Sequence, residues 1–229
     1  MTPEEMLDRL LYRDGLMLVV DKPAGLPVHR GPKGGDAFED YFDALRFGLP
    51  RAPALAHRLD RDTTGCLVLG RHRKALALLG KLFKQGKVGK CYWAVVEGGP
   101  DADEGRIDIA LAKRDEARGW WMKADGQGLP SISTWKVMGR GQGLAWLALE
   151  PLTGRTHQLR VHCAEMGWPI VGDNIYGSAP RTGGPALQLH SREVTVPISK
   201  NKPPVKVTAP IPESMHEKLT ACGWSGEAQ

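Results

Sequence analysis

Long apolar runs are missing from this 229-residue chain, and so is any pattern among its cysteines. No stretch approaches the ~18 consecutive apolar residues of a membrane-spanning helix. The first residues, Met1 to Tyr12, carry Glu4 and Glu5 where a secretory leader would carry bases. Both absences argue against membrane insertion and export, and predict a soluble, cytoplasmic protein. Cys66, Cys91, Cys163 and Cys222 are scattered, with no Cys-x-x-Cys pair and no histidine at zinc-finger spacing. A disulfide framework and a structural zinc are thereby disfavoured, and a reducing compartment is expected. Neither Gly-x-Gly-x-x-Gly nor Gly-x-x-x-x-Gly-Lys-Ser/Thr occurs, so no nucleotide-cofactor loop is present. The chain also lacks internal repeats, low-complexity tracts and an interdomain linker. At this length it buries about 70 to 75% of its unfolded surface, enough for one large domain or two subdomains around a cleft.

Acid is absent in one place that matters. The formal net charge of +5 is moderate, but from Thr63 to Val96 there is no Asp or Glu. Within that stretch fall Arg71, Arg73, Lys74, Lys81, Lys84, Lys87 and Lys90. Acids normally alternate with bases on a solvated helix, so charge of one sign favours a polyanion, and the commonest is a phosphate backbone.

Hydrophobic spacing predicts a short amphipathic helix over 3 to 12, a strand over 16 to 20 and a helix over about 37 to 47 with Phe38, Tyr41, Phe42 and Leu45 inward. A strand at 66 to 70 and a helix from about Arg73 to Gln85 capped by Gly86 follow. Lys90 to Gly98 alternates as a strand, with Tyr92, Ala94 and Val96 on one face and Cys91, Trp93 and Val95 on the other. Residues 100 to 130 are less regular. Within them, Trp120 and Trp121 are adjacent, and plain packing is the preferred reading for both. Strands at about 131 to 138, 144 to 150 and 205 to 209 complete the pattern.

The most informative segment is His57-Arg58-Leu59-Asp60-Arg61-Asp62-Thr63-Thr64-Gly65. It sets a carboxylate between two arginines, which keeps Asp60 ionised and suits it to act as nucleophile or base and not as an acid. This segment resembles the His-Arg-Leu-Asp-x-x-Thr-Ser-Gly signature of RNA pseudouridine synthases of the RluA type, with Thr64 in place of Ser. Three further segments resemble the same family. Asp21-Lys22-Pro23-Ala24-Gly25 is similar to Asn-Lys-Pro-x-Gly, and Lys90 to Gly98 fits Lys-x-Tyr-x-Ala-x-Val-x-Gly. Thr153-Gly-Arg-Thr-His-Gln-Leu-Arg-Val-His162, with Pro169-Ile-Val-Gly-Asp173 and Tyr176-Gly177 following, fits the third signature with Leu159 for Ile. The resemblance covers roughly residues 12 to 212.

The resemblance implies an α+β fold, a mixed and mostly antiparallel sheet divided by a basic catalytic cleft and flanked by helices. It implies one catalytic domain over 1–229, without the S4 module of some relatives. The activity implied is isomerisation of uridine to pseudouridine in structured RNA, ribosomal or transfer, after the nucleotide is flipped from its stack. That reaction needs no cofactor and no metal, and nothing in it demands more than a monomer. Asp60 is the implied catalytic carboxylate, acting as nucleophile or as the base that opens a glycal route. Arg160 matches the arginine that pairs with it, and Tyr92 the tyrosine that packs on the uracil. Arg58 is implied to fill the gap left by the extruded base, and Arg61, Lys90, Arg155, His157 and Gln158 complete the RNA-binding set. Phosphate contact is the expectation for Arg155, while His157 and His162 read better as hydrogen-bonded structural histidines than as metal ligands.

Two other readings are open to test. A non-catalytic RNA-binding or RNA-folding protein would keep the basic surface without needing Asp60, Arg160 and Tyr92. A glycosidase or nucleosidase would need a second carboxylate beside Asp60, for which Asp62 is the sequence neighbour.

Overall fold

A computed structural model describes residues 1–31, 34–115, 121–199 and 201–226. In chain order it contains α1 (Pro3–Leu7), β1 (Leu10–Arg13), β2 (Met17–Lys22), a 3-10 helix (Phe38–Leu45), β3 (Ala54–Leu55), β4 (Thr64–Gly70), α2 (Arg73–Lys84) and β5 (Gly89–Glu97). Then come β6 (Glu104–Asp108), β7 (Leu111–Lys113), β8 (Met122–Ala124), β9 (Ile132–Gly141), β10 (Leu144–Pro151), α3 (Gln158–Glu165), β11 (Leu189–Val196), β12 (Val205–Thr208) and α4 (Glu213–Ala221). This is an α+β fold with a mixed, mostly antiparallel sheet and few helices. The chain forms two compact units, Met1–Lys90 with Ser191–Pro210 and Cys91–His190 with Ile211–Gln229.

The first unit is built on β4, whose seven residues are all buried. Antiparallel β2 pairs along it from Met17↔Gly70 to Lys22↔Gly65, and β1 pairs with β2. Short β3 also pairs with β4, and β11 pairs with β12. The uninterrupted apolar run of β4 reflects cover on both faces. Helix α2 supplies part of that cover through Leu79 and Leu82, which pack into a cluster with Val19 and Val68. Gly70 permits the approach, because a Cβ there would lie 2.8 Å from the Leu76 Cα.

Both ends of α2 are closed by local chemistry. The His72 Nδ1 accepts the Ala75 N–H at 3.3 Å. At the other end Gly86 takes φ 65°, its N–H reaches the Phe83 carbonyl at 3.1 Å, and the Lys87 N–H reaches Leu82 at 3.0 Å. That is a Schellman termination, as expected from Gly86.

Two helix expectations are corrected. The first helix stops at Leu7, after a Thr2–Glu5 capping box, and Leu10–Arg13 becomes a strand. The reason is tertiary: the exposed side of β2 needs partners, and β1 supplies them from Leu10↔Val20 to Arg13↔Leu18. The segment after Ala37 winds as a 3-10 helix, with Phe38, Phe42 and Leu45 buried and Tyr41 only half-buried. The Asp40 carboxylate takes the Ala37 N–H at 2.9 Å and Arg30 at 3.0 Å.

The second unit is an antiparallel sheet in the order β5, β10, β9, β6, with β7 and β8 as a separate ribbon. β9 and β10 are joined through Gln142 and Gly143, both at positive φ (53° and 73°), the geometry of a tight hairpin turn. Helix α4, which the hydrophobic spacing did not announce, packs Met215 and Leu219 against Val95 and Trp146. Its C-terminal end lies directly on β9: a Cβ at Gly139 or Gly141 would fall 2.0 Å from the Cys222 or Ala221 carbonyl oxygen. Only glycine fits at these two positions. The expected alternation of β5 holds for Tyr92, Ala94 and Val96, all buried, but Val95 is buried too because α4 covers its face.

Candidate active site

Asp60 belongs to the first unit, in the loop between β3 and β4, where it is half-buried. What fastens this loop is Lys22, the last residue of β2. Its side chain is 0% exposed, and its ammonium donates to the carbonyls of Pro23 at 2.8 Å, Arg61 at 2.8 Å and Thr63 at 3.1 Å. Three N–H donors meet three acceptors, so the buried charge is fully hydrogen-bonded. Burial pushes its pKa down to about 8, against the opposing pull of Asp62 and Asp60. The likeness of Asp21 to Gly25 to a family segment did not reveal this role. The signal was there in a lysine following an otherwise apolar strand.

The rest of the loop is held from both sides. The Thr63 N–H meets the Asp60 carbonyl at 3.3 Å, closing a turn, and Leu59 is buried beneath it. Arg61 donates its Nε–H to the Gly25 carbonyl at 2.9 Å and lies 3.9 Å from Asp62. Arg58 is exposed. His57 accepts the Val68 N–H on Nε2 at 2.9 Å and stacks on Phe83 at 4.5 Å. Burial, with Lys90 nearby, pushes its pKa down to about 3, so it is a neutral structural histidine. Lys90, half-buried at the start of β5, is also lowered by burial.

Tyr92 and Arg160 belong to the second unit. Tyr92 is buried on β5, paired in register with Leu149. Arg160 lies on α3 and is 4% exposed. Its Nε and Nη2 donate to the two carboxylate oxygens of Asp173, each at 2.8 Å. Asp173 Oδ1 also accepts the N–H groups of Ile175 at 2.9 Å and Tyr176 at 3.0 Å. Burial alone would raise the Asp173 carboxyl, but Arg160 and these two N–H groups outweigh it and hold it below the usual carboxylate range. Asp173 is a site residue that the sequence presented only as part of a signature. The Arg160 guanidinium also sits 5.4 Å from the centre of the Tyr176 ring.

The loop before α3 is a hydrogen-bond network with a definite direction. The Gln158 amide donates to the Ile132 carbonyl and to Ser133 Oγ, both at 2.9 Å. Ser133 lies 3.0 Å from His162 Nδ1, and His162 Nε2 lies 3.1 Å from the Ile109 carbonyl. A carbonyl can only accept, so His162 carries its proton on Nε2 and takes the Ser133 hydroxyl proton on Nδ1. Burial lowers its pKa, which keeps the ring neutral. Gln158 Oε1 accepts from Thr153 Oγ1 at 2.7 Å and from the Arg155 N–H at 3.1 Å. His157, at φ 52°, meets the Tyr176 hydroxyl at 2.8 Å, and that hydroxyl accepts the Met122 N–H at 2.9 Å.

Of the residues expected at RNA, Gln158 and His157 are buried and hydrogen-bonded within the loop, where Gln158 holds the Arg155 backbone. Arg155 itself is half-buried, with Nε on the Pro130 carbonyl at 3.3 Å. Trp121 is buried, with the Arg181 and Arg114 guanidinium carbons 4.7 and 5.8 Å from its ring centre, while Trp120 lies outside the described residues. Among the described residues no group of three or more His, Cys, Asp or Glu is placed to hold a metal ion, and no helix is long and apolar enough to cross a membrane.

The class of this protein, an RNA-modifying isomerase, is identified by comparison with known proteins. Residues 16–165 match the RNA pseudouridylate synthase family model, and the chain belongs to that family. It is 42% identical over 208 residues to a protein of Zymomonas mobilis named as an RNA pseudouridine synthase, covering 90% of this chain and 94% of that one. It is 34% identical to ribosomal large subunit pseudouridine synthase C of Haemophilus ducreyi, covering 90% and 67%. Among solved structures, human RNA pseudouridylate synthase domain containing 4 superposes with a TM-score of 0.81 at 25% identity, covering 96% of this chain and 95% of that one.

Proposed function

We propose that this RNA pseudouridine synthase acts through Asp60 on a uridine flipped from structured RNA, and that ribosomal RNA is its substrate class. The observation that carries the reading is the construction of the Asp60 loop. Its flanking residues are spent on structure, with His57 on Val68, Leu59 buried and Lys22 on the carbonyls of Arg61 and Thr63. Asp60 and Asp62 are the half-buried carboxylates of this loop, Asp62 lying beside Arg61 and Asp60 at the signature position. Tyr92 packs on the detached uracil, and Arg160, fixed by Asp173, orients charge beside the reacting groups. Arg58 fills the vacated stack, and Arg61, Lys90 and Arg155 take neighbouring phosphates. The large-subunit relatives favour ribosomal over transfer RNA, and a single catalytic domain in the cytoplasm suffices for the reaction.

Isomerisation breaks the N1 glycosidic bond, rotates the base and joins C5 to C1′, releasing the C5 hydrogen. Tritium release from RNA labelled at uridine C5 therefore reads the reaction directly. Wild-type protein is expected to release tritium from ribosomal RNA, and Asp60→Asn to lose at least about 10³-fold in rate while keeping its RNA affinity. Release by Asp60→Asn at the wild-type rate would remove Asp60 from the mechanism. Free uracil among the products would instead favour the nucleosidase reading.

A further inference from the structure

Helix α2 has two faces of different character. Ala75, Leu79 and Leu82 are buried against β4 and its neighbours, whereas Arg73, Lys74, Lys81 and Lys84 are exposed, as is Lys87 just past the cap. None of these five cations forms an ion pair among the described residues. At 100° per residue the helical four fall within about 100° of arc, and they extend roughly 17 Å along the axis. Ala77, also exposed, lies within that arc, with Gly80 about 20° outside one edge and the exposed Leu78 about 40° outside the other.

The first turn of α2 also differs in charge from those of α1, the 3-10 helix and α4. Acids occupy the first turn of α1 (Glu4, Glu5), of the 3-10 helix (Glu39, Asp40) and of α4 (Glu213), where they complement the positive end of the helix dipole. The first turn of α2 has no acid and carries Arg73 and Lys74 instead. Cations there oppose the dipole and weaken the free helix. An anion bound along this face relieves both that opposition and the mutual repulsion of the row.

We propose that the outer face of α2 is a docking surface for the phosphate backbone of the substrate RNA, outside the segment that carries the modified uridine. The proposal rests on the RNA-modifying reading and adds to it the surface that grips the flanking helix. A row of point charges on flexible stems, without aromatic side chains, fits sequence-independent backbone contact and not base readout.

The test compares Lys74→Gln/Lys81→Gln/Lys84→Gln with a charge-matched control, Lys136→Gln/Lys202→Gln/Lys206→Gln, in the full chain. Binding to purified ribosomal RNA is measured across a salt series. Each phosphate contact contributes about 0.7 to 0.9 to the slope of log affinity against log salt, so the α2 variant is expected to lose about two to three from that slope. It is also expected to bind roughly tenfold or more weakly near 0.1 M salt, with the control close to wild type. The single variants Lys74→Gln and Lys84→Gln, each lowering the slope by just under one, guard against a folding defect in the triple.

An unchanged slope overturns the proposal, as does an equal loss in the control, which would assign the effect to net charge. If the α2 variant instead loses binding only to phosphatidylserine–phosphatidylcholine vesicles, the face belongs to a membrane and the proposal falls. Tritium release by the wild type separates the two readings. Its absence with a slope difference intact refutes the catalytic reading alone, and its presence with no slope difference refutes the α2 surface alone.

Discussion

In the Asp60 loop the organising group is a single buried cation, Lys22, spending its three N–H donors on main-chain carbonyls. In the loop around Arg160 no single group organises the structure. A bidentate ion pair to Asp173 holds the guanidinium, and a relay from Gln158 through Ser133 to His162 and Ile109 holds the backbone. The first loop depends on one proton staying on one amine. It depends also on the His57 ring staying neutral, whereas the second depends on His162 staying neutral and on the Asp173 carboxylate staying charged. The two loops should therefore fail under different conditions, and that difference offers the sharpest tests.

The largest loss is expected from Asp173→Asn, which removes the carboxylate charge that Arg160 Nε and Nη2 grip. Removing one partner of a buried pair costs about 3 to 5 kcal/mol, so thermal unfolding should shift down by roughly 10 °C or more. A shift within 2 °C would mean that this pair does not hold the second loop.

Next, Lys22→Met should leave three loop carbonyls without their donor and misplace Asp60, lowering turnover by roughly 10²-fold with a stability loss of about 2 kcal/mol. Its pH behaviour is more telling. The folded-state pKa of Lys22 is about 8 against an ordinary 10.5. Between these values the unfolded chain holds the proton more tightly, so this group makes stability rise with pH. Turnover should fall in the same range, because the neutral amine grips the carbonyls less well. An alkaline limb of activity near pH 8, uncoupled from unfolding and lost in Lys22→Met, is the expected signature in tritium-release profiles.

A smaller, acid-side effect is expected from His57, whose folded-state pKa of about 3 lies below its ordinary 6.5. As pH falls below 6.5 the unfolded chain takes a proton that the folded ring refuses, so stability declines by up to about 1.4 kcal/mol per pH unit from this group. Denaturant titrations of His57→Gln between pH 4 and 6 should show a shallower decline. The smallest effect should come from Ser133→Ala, which interrupts the relay between Gln158 and His162 at a cost of about 1 to 2 kcal/mol at pH 7. A variant as stable as wild type would show that the relay is dispensable.

Local chemistry was well expressed in the sequence. The apolar run of β4, the face of α2 and its Gly86 termination all come from residues within a few positions of one another, and so did the signature loops. What was hidden depended on distant partners. Lys22 reaches carbonyls 39 and 41 residues away, and Arg160 finds Asp173 thirteen residues on. The amphipathic pattern over 3 to 12 extended the first helix too far, because pairing with β2 outweighs helical periodicity after Leu7. Helix α4 was silent because it buries only Met215 and Leu219, too few for a clear periodic stripe.

The order in which the chain visits its two units has a consequence during synthesis. The first unit needs Ser191–Pro210, and the second needs Ile211 onward, including the helix that lies on Gly139 and Gly141. A ribosome emitting this polypeptide from its amino end has released the first unit in full only after Pro210 has left the exit tunnel, and the second only after the α4 segment has followed. Until then β4 and the Trp146 face of β10 lack part of their cover, a period of exposed apolar surface that a nascent-chain chaperone would shield. A stop codon before Glu213 would leave the second unit permanently open.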